Sequence, residues 1–323
     1  MSVTAWREKA QSHLGVTLGD WTQLSGGDFA QSYRATVQEV VSAEAPAQSM
    51  KRLYSQVSRE WTPVAQESLT LEAGEMLFIK THSNPPLRHF STEALGLRWL
   101  QETGAVHVPE VLGVDDALPF LAMKWVAEGS GANRQPAGEA EFGRQLAKMH
   151  QASCRYYGRV DQRSTGSLGL PNKPCQSWSE FYASQRLIPL LEIASAQRAL
   201  PTHILQSVEK LVYRLDQFAV NDDKPSRLHG DLWAGNRLLD ASGRSWVIDP
   251  ACHGGSREFD LAMMRLFGGF DASCHAAYQE MWPLADGWRE RIQLHQLAPL
   301  IVHAIKFGTT YVKATEDALN RYT

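Results

Sequence analysis

The chain has 323 residues, of which 43% are hydrophobic and 21% are charged, and its 32 basic residues nearly balance its 35 acidic ones. This length is sufficient for two lobes with separate cores, and the composition is that of a globular rather than a disordered protein. A net charge of -3 provides no general attraction to nucleic acid or to an anionic membrane, so neither is expected as a partner.

The cysteines are Cys154, Cys175, Cys252 and Cys274, and no two of them form a C-x-x-C pair. A chain of this size does not need disulfides to fold, so the pattern favours a reducing compartment. Charged residues occur from Arg7 onward, and no uncharged stretch reaches the roughly 18 apolar residues of a membrane span. We therefore expect a cytoplasmic protein that is neither secreted nor inserted in a membrane.

The N-terminal third predicts a helix from Ser2 to about His13, followed by two strand-like runs on either side of Gly26 and Gly27. Glycines allow backbone N–H groups to approach phosphate oxygens, because no Cβ stands in the way. Taken alone, the Gly-Gly pair is more typical of a plain hairpin turn than of a phosphate-binding loop.

A lysine and a glutamate further along extend this pattern. Residues 75–80 predict a strand that ends in Lys80, and a helix from about Leu87 to Thr103 carries Glu93. In kinases, a strand lysine contacts the α- and β-phosphates of ATP and is held by a carboxylate from the next helix. The alternatives are a solvated lysine at a strand end and a surface glutamate with no partner.

Two regions of the chain bear on its domain organisation. The polar stretch from 42 to 74 is interpreted as an insertion, within which residues 50–61 have the pattern of one amphipathic helix. Two strands are predicted around residues 108–114 and 118–126, and a Gly- and Ser-rich hinge follows from Glu128 to Pro136. The boundary is therefore predicted between residues 127 and 128, with a mostly helical second part from 128 to 323.

The stretch from Arg227 to Asp260 contains H-G-D-L-W-A-G-N, in which Asp231 and Asn236 stand in an H-x-D-L-x-x-x-N frame. In that frame, the Asp receives a hydrogen bond from an acceptor hydroxyl and the Asn binds a metal ion. Asp249 lies at the end of a predicted hairpin whose turn is Ala241-Ser242-Gly243, and it would be the second metal ligand. The alternative is an acidic hairpin with a purely structural role.

The same stretch identifies a family. The form H-G-D-L-W-x-G-N followed by I-D-P-A-x-x-x-G-x-R-E-x-D-L-A-M resembles the fructosamine kinase (ketosamine 3-kinase) family, within the aminoglycoside-phosphotransferase-like kinases. Trp233 and the run from Arg257 to Met263 distinguish it from neighbouring small-molecule kinases. The resemblance covers most of the chain outside the 42–74 stretch and the loop from about 159 to 174, where the match is poor.

The resemblance implies an α+β, bilobal, protein-kinase-like fold with a small antiparallel-sheet N-lobe and a larger, mostly helical C-lobe. It also implies ATP-dependent phosphorylation, with Mg²⁺, of the C3 hydroxyl of a ketosamine (ribulosamine or fructosamine), as a step of deglycation repair. Glycated amines, either free or on protein lysines, would be its partners. Kinases of choline, aminoglycosides or sugars, and a nucleotide-binding pseudokinase, are the alternatives.

The resemblance assigns roles to individual residues. Asp231 would be the catalytic base, and Asn236 and Asp249 the metal ligands. The nucleotide would be bound by the following residues: Gly26, Gly27, Lys80, Glu93 and the backbone of Lys124 and Val126. Acceptor contacts are expected from Trp233, Trp178, Arg257 and Glu258. A packing role is the alternative for Trp178, and we expect His229 and Asp260 to brace the catalytic loop.

Overall fold

The structure is a computed structural model, which describes residues 3–25, 29–54, 69–129, 136–152, 154–218 and 224–322. Gly26, Gly27 and the second half of the helix predicted over 50–61 lie outside these residues. The chain forms two compact units: Met1–Gln135 with Leu238–Pro250, and Pro136–Arg237 with Ala251–Thr323.

The first unit contains a five-stranded antiparallel sheet with the strand order β1-β2-β3-β5-β4. The strands are β1 Val16–Leu24, β2 Gln31–Val40, β3 Met76–Thr81, β4 Val111–Asp115 and β5 Phe120–Lys124. Lys80 lies on the central strand β3, opposite Ser32 of β2 and Leu121 of β5. The strands predicted at 75–80, 108–114 and 118–126 lie within a few residues of β3, β4 and β5, which are apolar runs bounded by turn residues.

The described residues of the first unit form the helices α1 Val3–Leu14, α2 Ala45–Tyr54 and α3 His89–Gln101. Almost every side chain of α3 is buried, and the helix contacts β4 and β5. Helix α2 buries Met50 and Leu53 and contacts α1 and β4. The start of the stretch interpreted as an insertion therefore contributes to the core of the first unit, and its helix begins five residues before the predicted one.

A short hairpin of β7 Arg237–Leu239 and β8 Ser245–Val247 follows the H-G-D-L-W-A-G-N segment. Within the first unit, Gly129 N–H donates to the Leu239 carbonyl (2.8 Å), and Val247 N–H donates to the His107 carbonyl (2.9 Å). These backbone bonds explain why residues 238–250 group with the first unit, whereas the sequence assigned them to the second part. The two units divide after residue 135, eight residues beyond the predicted boundary.

Helices dominate the second unit, as predicted. They are α4 Pro136–Gln151, α5 Trp178–Tyr182, α6 Ile188–Ala196, α7 Thr202–Val212, α8 Glu258–Phe267, α9 Ala272–Met281, α10 Trp288–Phe307 and α11 Thr309–Leu319. A π-helical turn, Ala183–Leu187, joins α5 to α6, and Gly308 separates α10 from α11. Strand β6 Ser226–Leu228 pairs with β9 His253–Gly255.

These elements make an α+β protein with a five-stranded antiparallel sheet in the first unit and a mostly helical second unit, which confirms the predicted fold class. Among the described helices, none combines the length and apolar character needed to cross a bilayer.

Candidate functional site

Three charged side chains of the first unit form one cluster, in which Lys80 and Glu93 are buried and Asp249 is partly exposed. Lys80 Nζ lies 2.8 Å from Glu93 Oε1 and also contacts Asp249 Oδ1. Burial alone would lower the pKa of Lys80, but the charges and hydrogen bonds of Asp249 and Glu93 outweigh it and raise that pKa. Lys80 therefore stays protonated, and the structure brings together the lysine and glutamate that were singled out from the sequence.

Asp249 follows β8 and adopts a left-handed backbone conformation with φ +54°. Such a conformation is uncommon for a residue other than glycine, and among other residues it is most readily tolerated by Asn and Asp. The Asp249 side chain is 40% exposed, whereas that of Lys80 is 7% exposed. One carboxylate oxygen is thus held by the lysine while the group keeps access to solvent.

Asp240 determines the turn that leads to Asp249. Its Oδ1 accepts from Ser242 N–H (2.9 Å) and Arg244 N–H (3.0 Å), and its Oδ2 accepts from Trp246 Nε1–H (2.9 Å). Desolvation opposes ionisation, but these hydrogen bonds and one from the Ser242 hydroxyl lower the pKa of Asp240 to about 2. An ionised aspartate that bonds backbone N–H groups two and four residues further on is the reason this sequence turns here.

In the second unit, Asp260 of α8 holds the backbone of the loop after β6. Its two carboxylate oxygens accept from His229 N–H (2.7 Å) and Gly230 N–H (2.9 Å). Gly230 has φ +80°, and a Cβ at this position would lie 2.2 Å from the Ala251 carbonyl oxygen, so only glycine fits. The bracing role predicted for Asp260 is confirmed.

Two buried histidines complete this support. His229 is fully buried, and its Nδ1 accepts from Asp231 N–H at 3.3 Å, which agrees with a bracing role rather than that of a base. His150 lies between Tyr278 Oη (2.9 Å) and Asp260 Oδ2 (3.2 Å). Burial alone would raise the pKa of Asp260, but the hydrogen bonds and the charge of His150 keep it below its usual value.

The fixed loop presents Asp231 next to Asn236. Asn236 Nδ2 donates both to the Asp231 carbonyl (2.8 Å) and to its carboxylate Oδ2 (2.9 Å). Because both contacts use the amide nitrogen, the amide oxygen of Asn236 points away from Asp231. Asn236 is buried and Asp231 is half-buried. The pair thus offers a carboxylate for a hydroxyl donor and an amide oxygen for a cation.

Comparison with known proteins decides the family. The fructosamine kinase family model matches residues 29–323. The chain belongs to the fructosamine kinase family. A protein of Lactiplantibacillus plantarum named "Probable ketoamine kinase" is 35% identical over 254 residues, which cover 76% of this chain and 86% of that protein. Enzymes of this family are phosphotransferases that use ATP and act on hydroxyl groups, so the predicted family and enzyme class are confirmed.

Solved structures agree with this assignment. A candidate fructosamine-3-kinase from Thermobifida fusca has a TM-score of 0.80 and 34% identity, with 99% of each chain covered. The choline kinase LicA of Streptococcus pneumoniae has a TM-score of 0.60 at 13% identity, with 98% of each chain covered. The second likeness shows the fold alone, and together the two structures confirm the protein-kinase-like fold of this fructosamine kinase family member.

Trp233 is exposed in this fructosamine kinase family member, two residues after Asp231, and glycines determine its position. The Trp233 ring covers Gly235 so closely that a Cβ there would lie 2.3 Å from ring atom Cη2. A Cβ at Gly269 would likewise lie 2.2 Å from the Cβ of Ala234. Sequence reasoning noted Trp233 but missed both glycines, although the G in W-x-G-N was a signal for the first.

The other acceptor candidates have structural surroundings. Trp178 is 1% exposed and stacks on Phe181 and Tyr182 in the core of the second unit. Arg257 donates to the carbonyls of Trp282 (2.7 Å) and Pro283 (2.6 Å).

Glu258, beside Arg257, accepts two hydrogen bonds from Arg291, of 2.8 and 2.6 Å. Burial opposes ionisation of Glu258, yet the hydrogen bonds from Arg291 and His295 lower its pKa. Trp178, Arg257 and Glu258 are therefore committed to packing or to protein partners, and Trp233 differs from them in its exposure.

The two residues whose backbone is expected to bind the nucleotide, Lys124 and Val126, lie at and just after the end of β5. Lys124 N–H donates to the Glu110 carbonyl (2.9 Å), and the Lys124 ammonium lies 3.2 Å from the Glu110 carboxylate. Val126 follows the strand and is half-buried. Both residues line a cavity of about 720 Å³ in the first unit, together with Glu110 and Trp246.

The buried ion pair between Arg237 and Glu139 in the second unit was not predicted from the sequence. Arg237, directly after Asn236, donates to both carboxylate oxygens of Glu139 at 3.0 and 2.5 Å, and both residues are buried. The Arg237 guanidinium also lies over the rings of Phe142 and Phe270. A bidentate contact of this kind is strong and directional, so it fixes the end of the catalytic loop. Nothing in the local sequence indicates a partner 98 residues away.

Proposed function

We propose that this protein phosphorylates the C3 hydroxyl of a ketosamine, either a ribulosamine or a fructosamine, with ATP and Mg²⁺. The observation that carries the proposal is the Asp231–Asn236 pair, with distances of 2.8 and 2.9 Å, in a loop that Asp260 holds through two backbone N–H groups. Membership of the fructosamine kinase family and relatives named ketoamine kinases support the choice of acceptor.

Asp231 is proposed to accept a hydrogen bond from the C3 hydroxyl and to take its proton late in the transfer. Phosphoryl transfer depends mainly on positioning and charge stabilisation, so a rigid support for this carboxylate is the main requirement. The hydrogen bonds from the His229 and Gly230 N–H groups to Asp260 supply that support. Because both carboxylate oxygens of Asp260 are used in these bonds, Asp231 is the carboxylate proposed to contact the C3 hydroxyl.

Lys80 is proposed to contact the α- and β-phosphates, with Glu93 holding it in place. An ammonium has three N–H donors. Within the part of the chain that the structure describes, Glu93 and Asp249 engage two of them, so the third remains for a phosphate oxygen. The backbone of Gly26 and Gly27 is proposed to cover the phosphates, and that of Lys124 and Val126 to bind adenine.

Asn236 and Asp249 are proposed as Mg²⁺ ligands, following the order of the motifs along the chain. Their donor chemistry fits, because Mg²⁺ prefers carboxylate and amide oxygens. Asp249 keeps solvent access beside its lysine, and the amide oxygen of Asn236 is directed away from Asp231. When bound, Mg²⁺ would neutralise charge on the phosphates of ATP.

The acceptor proposal rests on Trp233, which is 38% exposed next to the catalytic loop. An aromatic face suits the C–H surface of a sugar and the cationic amine of a ketosamine. Trp178, Arg257 and Glu258 are not carried forward as acceptor contacts, because their side chains already have partners within the second unit.

The product explains how one phosphorylation would lead to repair. Loss of a proton from C1, activated by the C2 carbonyl, gives an enol. Its electron pair then expels inorganic phosphate from C3, and hydrolysis of the resulting imine releases the amine. We propose that this happens in the cytoplasm on glycated amines, free or protein-bound. The four cysteines support a reducing location, because all of them are free thiols.

A coupled ADP-release screen tests the proposal. The acceptors are synthetic ketosamines of ribose and of glucose on the same amine, with choline and an aminoglycoside as controls. We expect Mg²⁺-dependent ADP release with a ketosamine and a phosphate on C3 by ³¹P NMR. Turnover of choline or the aminoglycoside alone would assign another acceptor, and tight Mg-ATP binding with no transfer to any acceptor would indicate a pseudokinase.

A further inference from the structure

Four aromatic side chains of the second unit continue from Trp233 and are called here the aromatic track: Phe267, His303, Phe307 and Tyr311. The Trp233 and Phe267 rings meet at 5.8 Å with an angle of 62°, and the Phe267 and His303 rings at 4.7 Å. His303 in turn lies 5.5 Å from Phe307 and 4.9 Å from Tyr311. These separations are those of contacting aromatic pairs, so the rings form one continuous surface.

Both ends of this surface are accessible. Trp233 is 38% exposed and Phe307 is 54% exposed, while the three rings between them are half-buried. Single exposed apolar residues are ordinary, but exposed aromatics joined by further rings make a contiguous patch, and such patches mark binding surfaces.

The framework of the track is rigid. Phe267 ends α8, and His303, Phe307 and Tyr311 recur at intervals of four residues across Gly308, where α10 gives way to α11. His303 Nδ1–H donates to the Pro299 carbonyl at 2.7 Å, which fixes the orientation of the central ring. The ring surface is therefore formed in advance of any ligand.

Covalent geometry identifies the occupant. This step rests on the proposed function, in which the C3 hydroxyl lies at Asp231. The amine nitrogen is then three bonds from C3, and Trp233 is within about 7 Å of Asp231, since a residue spans at most about 3.6 Å. The substituent on the amine must therefore leave the site close to Trp233, where the aromatic track begins.

We propose that the aromatic track is a second acceptor subsite, which binds the amine substituent of the ketosamine when that substituent is a long alkyl chain such as a lysine side chain. Lys306 Nζ lies 5.4 Å from the Phe307 ring centroid, so the outer end of the track carries a positive charge.

The test compares two ketosamines of the same sugar, one on methylamine and one on the ε-amine of an acetylated lysine amide. Phe307→Ser truncates an aromatic side chain of the proposed subsite. In this variant, kcat/KM should fall about fivefold or more for the lysine adduct, which is the size of effect expected when an aromatic anchor is removed from a binding surface. For the methylamine adduct, kcat/KM should stay unchanged. Phe267→Leu should act in the same direction. Tyr213→Ser, which alters a side chain 82% exposed elsewhere in the unit, is the matched control.

Any of the following results would contradict the proposed subsite. Equal loss for both adducts would show a general defect, and no loss for either would show that the track is not used. If Phe307→Ser changes the mass in sedimentation without changing selectivity, the patch is covered by a second copy of the chain. These three results leave the proposed function intact, whereas failure of the wild-type enzyme on both adducts removes the proposed function and the subsite together.

Discussion

The side-chain nitrogen of Asn236 donates to both the carbonyl and the carboxylate of Asp231, at 2.8 and 2.9 Å. One amide therefore holds the proposed catalytic carboxylate, while its oxygen is directed away from that carboxylate. Two of the functional groups inferred from the H-x-D-L-x-x-x-N frame thus depend on each other for their orientation.

Replacing Asp231 by Asn tests its role. The variant keeps an acceptor for Asn236 but loses the basic carboxylate, so kcat should fall by roughly 10² to 10⁴. Thermal unfolding should shift little, because Asp231 is only half-buried. The measurement is ADP release at saturating ketosamine, with Asp216→Asn on the exposed surface as control. Unchanged turnover would remove Asp231 from the mechanism.

The Lys80–Glu93 pair should behave as a buried ion pair in stability measurements. Their side chains are 7% and 5% exposed, so removing one partner leaves an unpaired buried charge. Lys80→Met is expected to lower the free energy of unfolding by about 3–5 kcal/mol. The double variant Lys80→Met with Glu93→Leu should be more stable than the single one, because it leaves no unpaired charge on α3. Equal urea midpoints for the two variants would contradict this account.

Substitution of Gly235 should weaken binding of the ketosamine acceptor without weakening binding of ATP. In Gly235→Ala, the new Cβ would lie 2.3 Å from Trp233 Cη2, so the indole must move. We expect KM for the ketosamine to rise about tenfold and KM for ATP to stay within about twofold, since an aromatic anchor contributes on the order of 1–2 kcal/mol. In a Trp233→Leu background, the Gly235→Ala change should have almost no further effect. Additive losses would show that the glycine acts through another contact.

Stability should decline in mild acid because of His253. Burial, with the charge of Arg186, lowers the pKa of this histidine to about 3, against about 6.5 when the chain is unfolded. Between these values the unfolded chain binds a proton that the folded chain does not. The free energy of unfolding should therefore fall as the pH drops from about 6.5, by up to about 1.4 kcal/mol per pH unit from this group.

The measurement for His253 is the pH dependence of urea unfolding between pH 7 and 5. His253→Asn keeps a donor for the Ala251 carbonyl, to which His253 Nδ1–H donates at 3.0 Å, and should reduce the slope. His203→Gln, at a side chain 66% exposed, should leave the slope as it is. If His253→Asn and wild type have the same slope, His253 does not carry this effect.

Much of the fold could be predicted because local signals agree with it. The 241–243 turn follows from Asp240, whose bonds reach only a few residues, and α10 ends at Gly308 with φ +81°, a conformation that glycine adopts readily. Strand β9, with the sequence His-Gly-Gly, could not be predicted, because three residues without alternation carry no strand signal and only pairing with β6 defines it.

The candidate site divides in the same way. The roles of Lys80, Glu93 and Asp260 follow from motif order, and the contacts of these residues agree with it. The contacts of Arg237 with Glu139 and of Gly269 with Ala234 join residues far apart in the sequence, and no local pattern encodes them. The partners of Arg257 and Glu258 belong to the same class, which is why these side chains looked available for an acceptor.

Residues 238–250 belong to the first unit although they follow residues of the second unit in the sequence, which limits how the two units can be expressed separately. A gene fragment ending at residue 135 would encode the five-stranded sheet and α3 but not the hairpin, so Lys80 and Glu93 would be made without Asp249. Because the first unit consists of two separate segments of the chain, no single cut in the polypeptide releases the whole of it. A circular permutant that joins 238–250 covalently to the first 135 residues, or co-expression of the missing hairpin as a separate peptide, would be needed to study that unit in isolation.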